Sequence, residues 1–139
     1  MKIELHPLHS VIDEIEQSHA IHYKDMDMDW ELYRALGNTG SIAAVTMRDG
    51  DKLVGWAVFV LATNPRYKTR LEAESQGLFI EKEYRPRWSS VFIKQCLEYM
   101  RTIGAVETNF TESDDKVGKW LAKHGARPTY KIYSFSHAN

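Results

Sequence analysis

The sequence predicts an α/β (α+β) fold in which helices cover both faces of one mixed, mostly antiparallel sheet of about six to seven strands. Strand-like and helix-like patterns alternate along the chain, and this order is typical of layered domains. The 139 residues are 43% hydrophobic, which is enough for one sizeable core. No repeat, linker or low-complexity tract divides the chain, so residues 1–139 are treated as a single domain.

The first half of the chain predicts strands on either side of a pair of helices. The predicted elements are a short strand at 2–5, helices at 11–21 and 30–36, and strands at 41–47 and 53–61. Ser10 and Asp29 stand just before the two helices, where their side chains are suited to cap free N–H groups. Asp49 and Gly50 form a strong hairpin signal between the last two strands. The run 53–61 is apolar on both faces, which predicts a central strand.

The second half predicts strands and helices in alternation. The predicted elements are a strand at 68–80, a helix through Trp88 to Ile103, a strand at 106–110, a helix to about 124 and a final strand at 129–135. Gly104 and Gly125 follow the two helices, as is usual where a helix ends in a left-handed residue. The apolar positions predict a core that includes Val54, Trp56, Val58, Leu78, Ile80, Val91, Phe92, Cys96, Val106, Phe110, Trp120 and Leu121.

Charge and composition narrow the classes of partner. Eighteen basic residues face nineteen acidic ones, so neither nucleic acid nor a membrane is expected as a partner. No apolar run is long enough to span a bilayer, and the N-terminus lacks the apolar region of a secretory leader. The single cysteine, Cys96, lies on the apolar face of a predicted helix, which favours a buried thiol in a reducing compartment. The sequence therefore predicts a cytoplasmic protein.

Two groups of potential ligands do not predict a metal site. Asp25, Asp27 and Asp29 alternate with methionine, but the residues at the EF-hand positions for glycine and for the last acidic ligand are Trp30 and Leu36. Two pairs of histidines are each three residues apart, whereas zinc needs four converging ligands. No metal is therefore expected.

Long stretches of the sequence resemble the GNAT fold of acyl-CoA N-acyltransferases. The second-to-third-strand hairpin of that fold resembles DGDKLVGWAVFVLA, and its fourth strand, cofactor turn and next helix resemble GLFIEKEYRPRWSSVFIKQCLEYM. Its closing strand, helix and strand are similar to AVETNFTESDDKVGKWLAKHGARPTYKIYSF. Acetyltransferase-like proteins of bacteriophages and prophages contain segments that resemble HYKDMDMDWELYRAL and NPRYKTRLEA.

The resemblance implies acetyl-CoA as the cofactor, bound where the fourth strand turns into the next helix. The family signature there is Q/R-x-x-G-x-G/A. Arg85 matches its first position, whereas Trp88 and Ser90 stand at the glycine positions, so the motif is degenerate. The signature directs backbone N–H groups at the pyrophosphate, and Pro86 removes one of these donors. The candidate cofactor-binding residues are Phe79, Ile80, Arg85, Arg87, Trp88, Ser89, Ser90, Asn109 and Ser113.

The resemblance also implies a general base on the fourth strand, which takes the proton of the attacking amine. Glu74 is the preferred candidate, ahead of Glu72 and Glu81. Asp25 and Asp27 lie in the loop that caps the active site in this fold, where acidic side chains suit a cationic amine substrate.

The family often protonates the leaving thiolate with a tyrosine on the last helix. Leu121 stands at that position here, so Tyr130 and Tyr133 are the nearby candidates. Either tyrosine also suits an ordinary strand position, where aromatic residues are common.

Two functions from different classes follow from the resemblance. The first is an enzyme that transfers acetyl from acetyl-CoA to a small-molecule or protein amine. The second is a catalytically silent GNAT-fold phage protein that acts by binding, as an internal component of the virion or on a host protein. Such a protein is located in the host cytoplasm or the virion. Transfer to a nucleic-acid base is a third hypothesis, which the balanced charge disfavours.

Overall fold

Five strands lie in one sheet, in the same order as in the chain. The computed structural model describes residues 1–23, 27–63, 65–66, 70–111, 115–129 and 132–137. The strands are β1 (Lys2–Pro7), β2 (Ile42–Asp49), β3 (Lys52–Thr63), β4 (Leu71–Ile80) and β5 (Glu107–Asn109). The helices are α1 (Ile12–His22), α2 (Trp30–Gly37), α3 (Arg85–Ile103) and α4 (Asp115–Lys123), with short 3-10 turns at Leu8–Ser10 and Lys82–Tyr84. The predicted order of elements is confirmed as far as α4.

The sheet is mixed and mostly antiparallel, as predicted. Strands β1 to β4 pair antiparallel in sequence, and β5 pairs parallel with β4. A parallel neighbour requires a crossover connection, which α3 supplies. The β2–β3 hairpin turns between Asp49 and Lys52, where Gly50 has a φ of 61°. This left-handed conformation costs glycine little, which explains why the hairpin signal identified the turn.

Two apolar cores lie on opposite faces of the sheet. The α3-side core joins α3 to the sheet and consists of Ala43, Val45, Met47, Val54, Ala57, Phe59, Ala73, Ile80, Phe92, Cys96 and Met100. The α1-side core joins α1 and the first 3-10 turn to the other face and consists of Leu8, Val11, Ile12, Ile15, Ile42, Ala44, Trp56, Val58 and Phe79. Helices therefore cover both faces, as predicted.

Half of the twelve predicted core residues are buried, and two are exposed. Val91 and Val106 are 45% and 62% exposed, so their assignment to the core is wrong. The buried stripe of α3 repeats every four residues through Phe92, Cys96 and Met100, and Val91 lies about 100° away from it on the helix. Leu78, Phe110, Trp120 and Leu121 are partly buried, and the other six predicted residues are buried.

The ends of the helices show one confirmed cap and one wrong prediction. The Asp29 side chain accepts a hydrogen bond from the Leu32 N–H at 3.0 Å, which confirms the predicted cap of α2. Ser10 does not cap α1, because it lies in the first 3-10 turn and its hydroxyl donates to the Pro7 carbonyl. Gly104 follows α3 with a φ of 113°, as predicted for the residue after a helix.

The predicted final strand is not formed in the described part of the C-terminal segment. Residues 126–129 and 132–137 carry no strand, and Ile132, Tyr133 and Phe135 are exposed. Within the described residues the sheet therefore has five strands rather than six to seven. Composition gives a segment the preferences of a strand, but a strand forms only where a neighbour supplies hydrogen-bond partners. None of the helices in the described ranges is long and apolar enough to cross a membrane.

Candidate functional site

β4 continues beyond the end of β5, and we call the unpaired side of this part of β4 the cleft. The ladder between these strands has only three pairs, which join 72–74 to 107–109. β4 continues for six residues, from Ser75 to Ile80, and no described strand pairs with that side of it. Ligands of α/β proteins bind in such crevices beyond the carboxyl ends of parallel strands.

A β-bulge in β4 lies at the beginning of the cleft. Ser75 pairs with Phe59 and Gly77 pairs with Val58, so Gln76 is an extra residue on β4. Bulges bend a strand and occur often beside functional sites. A Cβ atom on Gly77 would lie 3.0 Å from the Trp56 ring, so a larger residue there would have to displace the ring by a few tenths of an ångström.

Backbone groups of β4 face the cleft in a regular pattern. The Glu81 N–H donates to the Val54 carbonyl, and the alternation of an antiparallel ladder then turns the N–H and C=O groups of Leu78 and Ile80 away from β3. The Tyr23 hydroxyl donates to the Leu78 carbonyl at 3.3 Å, and Arg85 Nε donates to the Ile80 carbonyl at 2.7 Å.

The N-terminus of α3 follows β4 after the 3-10 turn Lys82–Tyr84 and has no side-chain cap. Its N-cap residue, Tyr84, makes no side-chain cap, and the first turn contains no acidic residue. The helix dipole makes such an end attractive to anions, but the Arg85 N–H is not free, because it donates to the Lys82 carbonyl of the preceding 3-10 turn. Pro86 removes one donor, as the sequence predicted, and the exposed side chains of Arg85 and Arg87 add positive charge.

Two predicted residues of this turn make contacts within the protein. Trp88 is partly buried and packs against the α3-side core, with the Arg87 guanidinium 5.3 Å from its ring centroid. Ser90 Oγ lies 2.8 Å from His124 Nε2, while His124 Nδ1 lies 2.8 Å from the Trp120 carbonyl. Because a carbonyl only accepts, Nδ1 carries the proton and Ser90 donates to Nε2. This bond links α3 to the end of α4.

The other predicted site residues lie in different places. Glu74 is exposed and belongs to the last ladder pair before the cleft, opposite Asn109. Asn109 Nδ2 donates to the buried carboxylate of Glu72 at 3.3 Å. Phe79 and Ile80 bury their side chains in the two cores, and Ser89 is partly buried in α3. Asp27 is exposed before α2, and Tyr133 is exposed in the C-terminal segment. Asp25, Ser113 and Tyr130 lie outside the described residues.

An aromatic cluster borders the bulge on the α1 side. His19 stacks on Tyr23 with their ring centroids 4.9 Å apart and meets Trp30 edge-on at 5.3 Å. Trp56 lies beneath them, and its indole N–H donates to Ser18 Oγ at 2.9 Å. Neither Tyr23 nor His19 was identified as a site residue from the sequence, because the Tyr23 hydroxyl contacts Leu78 and the His19 ring contacts Trp56, both distant in the chain. Within the described ranges no cluster of three or more His, Cys, Asp and Glu side chains could hold a metal ion.

His19 predicts a pH dependence of stability. Burial lowers the pKa of His19 below its ordinary 6.5, because the ring is desolvated in the fold. As the pH falls, His19 is therefore protonated in the unfolded chain before it is protonated in the folded protein. The stability that is present above about pH 6.5 is lost as the pH falls toward the pKa of His19 in the folded protein. We expect a His19→Phe variant to lose less of its urea midpoint between pH 7.5 and 5.5 than the wild type does. Equal losses of the urea midpoint in both proteins would show that a group other than His19 causes the pH dependence.

Several solved structures similar to this chain are acetyltransferases. An aminoglycoside acetyltransferase from an uncultured soil sample, in complex with sisomicin, has a TM-score of 0.76 and 16% identity, with 99% of this chain and 95% of that chain covered. A ribosomal-protein-alanine N-acetyltransferase from Brucella melitensis has a TM-score of 0.73 and 14% identity, with 98% and 99% covered. A Trypanosoma brucei acetyltransferase has a TM-score of 0.69 and 14% identity, with 97% and 99% covered.

These likenesses extend over nearly the whole chain at low identity. No protein-family model matches the sequence, and no curated protein matches it. At such identities a structural likeness establishes the fold, and function has to be argued from the site. The chain has the fold of the GNAT acetyltransferases, with a five-stranded sheet.

Proposed function

We propose that this protein is an N-acyltransferase that transfers acetyl from acetyl-CoA to a primary amine of a small molecule or a protein. One observation carries the proposal. The edge of β4 from Ser75 to Ile80, which pairs with no described strand, leads from the bulge through a 3-10 turn to the arginine-flanked N-terminus of α3. A linear ligand with an anionic group at one end and amides along its length suits both parts of this surface.

The residues present fit acetyl-CoA. The outward N–H groups of Leu78 and Ile80 would donate to the amide carbonyls of the pantetheine arm. Of the first-turn N–H groups of α3, that of Arg85 donates to the Lys82 carbonyl and Pro86 has none. The helix dipole, the Arg87 N–H and the exposed guanidinium of Arg87 would therefore bind the pyrophosphate. Trp88 packs against the α3-side core, which supports room for a phosphate above the turn. Ser89 and Asn109 remain candidate contacts.

The chemistry of the proposed reaction needs few groups from the protein. Bound acetyl-CoA supplies an activated acyl group as a thioester. The amine nitrogen forms a bond to the acyl carbon, the C–S bond breaks, and the amine loses a proton. Glu74 is suited to accept this proton, directly or through a water, because it is exposed at the last ladder pair before the cleft. Tyr130 and Tyr133 stay candidates to protonate the thiolate.

The acceptor is proposed only as a class. The similar structures include enzymes whose names refer to an aminoglycoside and to a ribosomal-protein alanine, and both acceptors carry amines. Asp27, exposed just before α2, would attract an ammonium group to this side of the sheet. We propose Asp25 for the same role from the sequence alone.

Coenzyme binding tests the proposal. Acetyl-CoA at about 100 times its Kd should raise the free energy of unfolding by about 2.7 kcal/mol, which a thermal shift detects. We expect Arg87→Ala to weaken binding about tenfold through the lost charge-assisted contact. Arg101→Ala is the matched control, because Arg101 lies at the other end of α3, is 72% exposed and pairs with Glu98. This control should bind as the wild type does.

The outcomes separate the two function classes. Absence of a thermal shift at saturating acetyl-CoA would contradict the proposal that the protein is an acetyl-CoA-dependent enzyme. A shift that Arg87→Ala and Arg101→Ala reduce equally would place the phosphates elsewhere. Release of free CoA thiol that depends on an added amine would establish the transfer. Binding without any thiol release across a broad set of amines would favour the catalytically silent protein.

A further inference from the structure

The Tyr23 hydroxyl lies in the cleft, on the unpaired side of β4. It donates to the Leu78 carbonyl at 3.3 Å, and the C=O and N–H groups of Leu78 both point away from β3. Tyr23 comes directly after His22, the last residue of α1, and its own N–H donates to the His19 carbonyl at 2.8 Å. The end of α1 therefore brings a hydroxyl group from one face of the sheet to the edge of β4.

Aromatic contacts fix the direction of this hydroxyl. The Tyr23 ring stacks on His19 with the centroids 4.9 Å apart, and it meets the rings of Trp56 and Phe79 edge-on at 6.2 and 6.1 Å. A ring packed in this way has little freedom left to lose when a ligand binds. The bond to Leu78, in contrast, is long, since hydroxyl donors usually lie about 2.7–2.8 Å from an acceptor oxygen. The ring is thus fixed, while the proton is able to turn to a better acceptor.

We infer that Tyr23 is a catalytic residue of the proposed transferase, and that its hydroxyl protonates the sulfur of CoA as the thiol leaves. The inference rests on the proposed function, in which the outward N–H groups of Leu78 and Ile80 hold the amides of the pantetheine arm. Only a short methylene chain separates the last amide of that arm from the sulfur, so an amide held by Leu78 leaves the sulfur close to the Tyr23 hydroxyl. Tyr133, by comparison, is 82% exposed in the C-terminal segment.

The proton balance of the transfer is complete with this group. The amine nitrogen bonds to the acyl carbon, the C–S bond breaks, and both electrons of that bond go to the sulfur. The Tyr23 hydroxyl gives its proton to the sulfur, and the resulting phenolate regains a proton from the solvent. Glu74, or a water beside it, takes the proton that the amine loses and releases it to the solvent. The products are therefore an amide and a free thiol.

Binding of CoA and of desulfo-CoA, which has hydrogen in place of the thiol, tests the inference without turnover. Tyr23→Phe removes the hydroxyl and keeps the ring that contacts His19, Trp56 and Phe79. In calorimetry we expect this variant to bind CoA about fivefold more weakly, through one lost hydrogen bond, and to bind desulfo-CoA as the wild type does. A hydroxyl with only a structural role would lower both affinities equally or neither, and either result would overturn the inference.

The rate of thiol release gives a second readout. Tyr23→Phe should lower kcat about 100-fold, the loss expected for a general acid, and leave the KM for acetyl-CoA little changed. Tyr99→Phe is the matched control, because Tyr99 is also partly buried and its hydroxyl donates to a strand carbonyl, that of Ile3, at 3.0 Å. Ile3 belongs to β1, at the opposite edge of the sheet from β5, so this control should match the wild type in both measurements.

Failure of this inference differs from failure of the proposed function. An unchanged kcat in Tyr23→Phe, with an active wild type, would overturn the role of Tyr23 alone. A wild type that binds neither acetyl-CoA nor CoA, or that binds them without turnover, would contradict the proposed function and the inference with it.

Discussion

Replacing Phe92 with alanine is expected to lower the free energy of unfolding by about 3–5 kcal/mol, the usual range for a large buried aromatic residue. Phe92 is fully buried in the α3-side core and joins the middle of α3 to the sheet. Its removal leaves a cavity between the helix and the central strands, and the close-packed neighbours cannot fill it without moving.

Val91 provides the matched control for this prediction. It precedes Phe92 on the same helix but is 45% exposed, so Val91→Ala should change stability by about 0.5 kcal/mol or less. Urea unfolding should show a lower midpoint for Phe92→Ala with an unchanged slope. Similar losses in the two variants would mean that α3 presents a different face to the sheet.

Replacing Trp56 with alanine is expected to cost about 3–5 kcal/mol on the other face of the sheet. Trp56 is 3% exposed and contacts the rings of His19, Tyr23 and Phe79. Its indole N–H also donates to Ser18 Oγ, a bond that contributes about 1 kcal/mol. The variant loses both the ring packing and this link between β3 and α1.

Trp56→Phe separates the two contributions, because it keeps an aromatic ring and removes the N–H group. Its loss of stability should be clearly smaller than that of Trp56→Ala in the same urea titration. A Trp56→Phe variant as unstable as Trp56→Ala would show that the hydrogen bond and ring size, rather than burial, dominate at this position.

Features set by neighbouring residues were predictable from the sequence. The hairpin at Gly50 and the end of α3 at Gly104 both use a positive φ, which the residue type itself indicates. The cap by Asp29 depends on an N–H group three residues away. In each case the chemistry lies within one turn of the chain, so the local sequence carries the whole signal.

Features set by distant residues were not predictable in the same way. The sequence pattern predicts that Val106 points inward from a strand. Which side of the sheet faces water at β5, however, depends on where α3 and α4 pack. The segment 129–135 has a strand composition, but its pairing depends on a partner edge that the sequence does not specify. The periodicity of a sequence shows which residues of an element share a face. It does not show which other element packs against that face.

The candidate site also contains both kinds of feature, those set by neighbouring residues and those set by distant ones. The β4–α3 turn with Arg85 and Arg87 was located from the sequence, because the residues that form it are contiguous. The hydrogen bond between Ser90 and His124 and the contact of Tyr23 with the Leu78 carbonyl join positions 34 and 55 residues apart. Such contacts depend on the tertiary arrangement, and a single sequence contains no signal for them.

The burial of Cys96 makes this thiol a natural reporter of core opening. It is the only cysteine of the chain and is fully buried in the α3-side core. Burial raises the pKa of the Cys96 thiol, so very little of the reactive thiolate exists while the core is closed. A thiol reagent therefore labels the protein at the rate at which α3 separates from the sheet. The labelling kinetics report how often the core opens, without any introduced label.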